Sequence, residues 1–125
     1  MQRYLFIALG GAAGSLARFL VGSAIANRMG VRFPFGTLII NTSACLIIGF
    51  SLELLNRNAG INPAWRYLVP IGFVGAYSTF STFEWEIFSS LQAGGVSSGL
   101  IYIVSSLVLG YAAVFGGFLL ARMMS

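Results

Sequence analysis

The chain has 125 residues, 58% of them hydrophobic and 8% charged, with a mean hydropathy of +0.89, a balance far outside the soluble globular range that marks a membrane protein. Its net charge of +4 comes from Arg3, Arg18, Arg28, Arg32, Arg57, Arg66 and Arg122 set against Glu53, Glu84 and Glu86; these are spread over helix ends and form no basic patch, so nucleic-acid binding has no footing. With no histidine and a single cysteine, zinc sites, Cys/His catalysis and Ser/His/Asp triads are excluded within one chain, and the inventory speaks against an enzyme.

Crossing a hydrocarbon core of roughly 30 Å takes about 20 helical residues, with every backbone polar group satisfied inside the segment. Four segments of one transmembrane domain, 1–125, meet that demand: about 4–26, 35–55, 64–92 and 99–122. The connections are short, so neighbouring helices should run antiparallel, and no room is left for a soluble domain. Arg3, the apolar run after it and Ala24-Ile25-Ala26 imitate a cleavable leader. The run from Tyr4 to Ala26 is nevertheless long enough to span and carries Arg18 where a leader has an uncharged core, so it is read as a span. Four spans place both termini on one side with Arg3, Arg57, Arg66 and Arg122, while Arg28 and Arg32 lie on the other, with Arg18 buried nearer that other end. That near-balance permits insertion in either orientation.

In the first helix Gly10, Gly14, Arg18 and Gly22 recur every four residues and form one ridge. Gly10 and Gly14 make a GxxxG, the signature of close helix contact in lipid. Arg18 on that ridge either snorkels to the nearer interface or faces an aqueous vestibule. The second helix carries Thr37, whose hydroxyl can bond its own backbone, and Asn41, whose amide donors need a neighbouring helix or a wet path. Cys45 reads as a small buried hydrophobe.

The third segment contains Pro70, then Gly72 and Gly75, then the run Tyr77 to Phe83 of poor helix propensity. Together they predict a break between residues 75 and 80, tolerable at membrane depth where the freed backbone is buried in protein or holds an ion. If helix resumes, Phe80 and Phe83 share a face beside a polar stripe of Thr79, Thr82 and Glu86. In the fourth helix Tyr102 and Ser106 share a face continued by Gly110, while Gly116 and Gly117 suggest tight packing.

Four short helices enclose little space, and the polar groups on all of them need an environment, so a homo-oligomer of two subunits is expected. Amide N–H, hydroxyl O–H and the positive rim of an aromatic ring suit a small anion that is a strong hydrogen-bond acceptor. A cation would want carboxylate rings or carbonyls along the path. The rival reading is a small four-helix proton-coupled multidrug exporter, which relies on a carboxylate deep in the first helix; residues 1–27 have none.

The segments Gly10-Gly11-Ala12-Ala13-Gly14-Ser15-Leu16-Ala17-Arg18, Gly36-Thr37-Leu38-Ile39-Ile40-Asn41 and Phe80-Ser81-Thr82-Phe83-Glu84-Trp85-Glu86, in this order and spacing, resemble the Fluc fluoride channels, also called CrcB-like proteins, over essentially the whole chain. Thr79 to Phe83 is the most distinctive stretch. The resemblance implies an all-α membrane protein, a dual-topology antiparallel homodimer in the lipid bilayer with two fluoride pores, passive export of fluoride, and a bacterial inner-membrane location. Carried over by position, Phe80 and Phe83 would offer ring edges to fluoride, Asn41 would donate to it, Ser81, Thr82, Tyr102 and Ser106 would line a polar path, and Arg18 would sit at a vestibule. It further implies a structural Na⁺ at the dimer interface held by the main-chain carbonyls of Gly75 and Ser78. Glu86 matches a family acid, Glu84 replaces an expected small hydroxyl, and Gly110 and Val114 offer no hydroxyl further along the fourth helix.

Overall fold

The computed structural model describes residues 1–124, in which all regular structure is helical and there is no strand. Helix α1 spans Gln2–Met29, α2 Phe35–Arg57, and α5 Val96–Met123. Each of these three is long and apolar enough to cross a membrane. Between α2 and α5 the chain forms α3 over 64–77 and α4 over Phe80–Gln92.

Helix α3 is not uniform. Its stretch Tyr67–Val74 is wound as a π-helix around Pro70. Proline has no N–H to donate, and its ring collides with the carbonyl four residues earlier in an α-helix; a wider coil accommodates both. The helix stops at Tyr77, and Ser78 and Thr79 are extended, with φ/ψ of −74°/156° and −149°/115°. Two bonds hold the stop, because the Ser78 N–H and Oγ both donate to the Val74 carbonyl, at 3.0 and 2.9 Å. Thr79 then caps α4, its Oγ1 accepting from the Thr82 N–H at 3.3 Å, as a hydroxyl at the N-cap does. The break therefore lies at Ser78–Thr79, and Thr79 belongs to the cap, not to a helical stripe with Thr82 and Glu86.

Glycine decides how these helices meet. The position a Cβ would take on Gly10 is occupied by the Leu68 carbonyl, and on Gly14 by the Phe73 carbonyl, so α1 and α3 touch backbone to backbone and run parallel. Gly49 meets the Val114 carbonyl, and Gly117 meets Leu46 and Phe50, which makes α2 and α5 a second parallel pair. Gly22 beside Gly36 joins α1 to α2 in antiparallel sense. In lipid no hydrophobic force drives such contacts, and close backbone approach supplies the attraction instead. Helix α4 folds back antiparallel on α5 through a turn at Gly94, whose φ of 81° suits glycine.

These directions fix the topology. The start of α3 lies with the start of α1 and the ends of α2 and α5, while the end of α4 lies with the start of α5. Residues 64–92 thus run from one side to the other in two helical pieces, and both chain ends fall on the same side. One core gathers Ile40, Ala44, Val74 and Tyr77 with Ala17 and Val21 around them. A second gathers Leu38, Ile87 and Tyr102 with Phe33 and Phe83.

Candidate functional site

The helix break would leave main-chain groups unpaired inside the protein, and Asn41 answers that demand. Its Nδ2 donates to the Thr79 carbonyl at 3.1 Å, and its Oδ1 accepts from the Thr79 N–H at 2.8 Å. One side chain on α2 thereby substitutes for the backbone ladder at the break. An amide nitrogen has two hydrogens, so one of the Asn41 donors is spent here. Around the same point Thr79 Oγ1 donates to Thr82 Oγ1 at 3.0 Å and lies 3.5 Å from Ser81 Oγ, and Tyr77 and Ser43 share a hydroxyl bond of 2.9 Å.

One turn further on, Glu86 is bonded through both carboxylate oxygens. Thr37 Oγ1 donates to Oε1 at 2.7 Å and the Tyr102 hydroxyl to Oε2 at 2.6 Å, the short lengths of O–H to carboxylate bonds. Tyr102 is 1% exposed. Its ring is packed edge-wise against Phe83, with centroids 5.0 Å apart at 63°, and against Phe33, at 5.7 Å and 77°. Phe80 lies 6.0 Å from Phe83 but is 74% exposed on the outer face of α4, with Trp85 at 66% and Phe88 at 52%. The two phenylalanines therefore have different surroundings, Phe83 inside the subunit and Phe80 on its surface.

An open cavity of about 920 Å³ lies beside this cluster, on the side away from the chain ends. Its lining includes Arg18, Gly22, Arg32, Thr37, Thr82 and Glu86. Arg18 lines this cavity and makes no ion pair among the described residues. Two guanidinium groups against one carboxylate give the cavity a positive balance that attracts anions. Ser106 sits one turn past Tyr102 on α5, its hydroxyl buried without a partner among the described residues. Gly75 is exposed, with nothing within 4 Å of the position a Cβ would take.

Asn41 and Thr82 thus meet at Thr79 with Ser81 beside them, Phe83 and Tyr102 pack together next along α4, Arg18 lines the cavity alongside, and Ser106 is a turn beyond Tyr102. The sequence reading gave too little weight to Thr37 and Glu86 and missed the pairing of Asn41 with Thr79. A signal was present for Glu86, since a carboxylate within a span needs partners; the identity of those partners depended on how α2, α4 and α5 pack.

Residues 5–118 match the family model described as CrcB-like protein, Camphor Resistance (CrcB). A protein of Solibacter usitatus is 50% identical over 121 residues, covering 97% of this chain and 99% of the relative. One of Acidobacterium capsulatum is 48% identical over 116 residues, 93% of each, and one of Rhizobium meliloti is 40% identical over 124 residues, 99% of each. All three are named as the fluoride-specific ion channel FluC. With the family model matched across nearly the whole chain and half the residues shared with a full-length relative, this multi-pass membrane protein belongs to the CrcB-like family.

Proposed function

We propose that this chain is a fluoride-specific channel that lets the anion leave the cell passively. The carrying observation is a set of polar groups beside the positive cavity: the Asn41 amide and the Thr82 hydroxyl both bond Thr79 at the helix break, and a turn away Tyr102, bonded to Glu86, packs its ring against Phe83. This agrees with the name borne by full-length relatives. The acid HF crosses membranes as a neutral molecule and ionises inside, and the trapped anion needs only a path down its electrochemical gradient. Along the path, Arg18 raises the local anion concentration, the second Asn41 N–H and the Thr82 hydroxyl, whose own proton is not spent on Thr79, replace hydration, and the ring edges of Phe80 and Phe83 present their positive rims. Glu86 holds the Tyr102 and Thr37 hydroxyls in place. The exporter reading lacks its required acid in α1.

The working unit is an antiparallel homodimer of dual topology in this proposal. Support comes from the exposed aromatics Phe80, Trp85 and Phe88 on a helix that packs within its own subunit mainly against α5, and from the weak bias of the arginines between the two sides, four against two with Arg18 nearer the second. An exposed set of that size on the helix carrying the site is better covered by a second copy than by lipid. A structural Na⁺ fits the break between the subunits. Past Val74, a helix end leaves its last carbonyls without an intrahelical amide, the negative end of the helix dipole lies there, and Gly75 keeps the approach open. The main-chain carbonyls of Gly75 and Ser78 would hold it, and it would supply positive charge where two broken helices meet.

The test is fluoride efflux from liposomes containing purified protein, followed with a fluoride-selective electrode. Release is expected for the natural protein and a marked reduction for Phe80→Ile and for Phe83→Ile, with gel filtration unchanged. Absence of release from the natural protein contradicts the proposal. If both variants conduct normally, the phenylalanines are packing residues only.

A further inference from the structure

The seam between α2 and α5 holds two hydroxyls that nothing above explains. Thr42 Oγ1 and Ser106 Oγ are both buried and have no hydrogen-bond partner among the described residues. Register places them at one level of the parallel pair: Leu38 packs with Tyr102 before them, and Cys45 meets Gly110 after them. Thr42 therefore stands opposite Ser106. A hydroxyl inside a helix commonly returns to its own backbone, as Ser43 does to the Ile40 carbonyl at 3.0 Å and Ser51 to the Ile48 carbonyl at 3.4 Å. Thr42 does not.

An unpaired buried hydroxyl is costly, and two facing one another mark a place for something that bonds both. The seam offers protons from both sides and no charged group at that level, so it suits a small guest that accepts hydrogen bonds. Gly110 contributes no side chain there, and the Cys45 sulfur lies 3.4 Å from the position its Cβ would take. Beyond Ser106 the α5 face has no further hydroxyl at Gly110 or Val114, whereas α2 supplies one at Thr42.

We propose that Thr42 and Ser106 together bind the permeating anion one turn beyond Tyr102, which makes Thr42 a further residue of the conduction path. The proposal rests on the fluoride-channel reading. A resident water would also satisfy the two hydroxyls, and flux distinguishes it from the anion. Fluoride efflux from liposomes and thermal unfolding in detergent are compared for the natural protein, Thr42→Val, Thr42→Ser, Ser106→Ala and the Thr42→Val/Ser106→Ala double variant, with Thr42→Ala in reserve should valine prevent assembly. Thr42→Val is expected to slow fluoride release about tenfold or more, the scale of a lost hydrogen bond to a charged group, with no fall in unfolding temperature. Thr42→Ser restores release, and the double variant loses less than the product of the single losses because the two hydroxyls serve one ion. Full release by Thr42→Val, with or without a change in stability, overturns this proposal alone and leaves a structural water as the occupant. No release from the natural protein overturns this proposal together with the channel reading.

Discussion

Asn41 and Glu86 show how single polar side chains make a broken helix possible. Each sits where an unpaired group would be expensive, and each is satisfied by partners far away in sequence. Replacing Asn41 by alanine leaves the Thr79 N–H and carbonyl without partners, and a loss of about 2 kcal/mol is expected, the usual cost of an orphaned part-buried group. Thermal unfolding in detergent measures it, and fluoride release should fall as well. Tyr102→Phe keeps the ring against Phe83 and Phe33 while removing one donor to Glu86. Its expected signature is a larger loss of flux than of stability; equal loss of both would make the hydroxyl structural. At this scale the residue types were legible in the sequence, because amide, hydroxyl and carboxylate stand out in an apolar chain. Their partners were not: Asn41 and Thr79 are 38 positions apart and Thr37 and Glu86 are 49 apart, so only packing could pair them.

Among the elements, the glycine ridges fix the spacing on which the site depends. A side chain on Gly14 must displace the Phe73 carbonyl, whereas the nearest atom to a Cβ on Gly11 is the Gly72 carbonyl oxygen at 4.0 Å. Gly14→Val should therefore cost about 3 kcal/mol or prevent assembly, while Gly11→Ala should be neutral or stabilise by up to about 1 kcal/mol through helix propensity. Unfolding temperatures of the two variants decide the matter; similar effects would argue against backbone contact between α1 and α3. The GxxxG pattern and the weak helix propensity after Gly75 made both the contact and the break legible. The π-wound turn around Pro70 was not, since sequence tells that proline disturbs a helix but not whether the coil kinks, widens or stops. The cap was hidden too, because Thr79 and Thr82 fit a helical stripe as well as they fit an N-cap.

For the whole molecule, the apolar exterior made the membrane legible from composition, and the exposed aromatics Phe80, Trp85 and Phe88 are the feature on which the proposed second copy rests. If the Gly75 and Ser78 carbonyls hold Na⁺ between subunits, exchanging sodium for a bulky organic cation should lower the unfolding temperature of the purified protein, and returning sodium should restore it. An unchanged temperature would remove the ion from the proposal while leaving the anion path intact. The anion path itself rests on donors that favour a small, strongly accepting ion over a larger, weaker one. Its most direct test is simultaneous recording of fluoride and chloride release from liposomes containing the purified protein and loaded with both salts. Rapid fluoride release with chloride retained is the expected result, and chloride leaving as fast as fluoride would contradict the account.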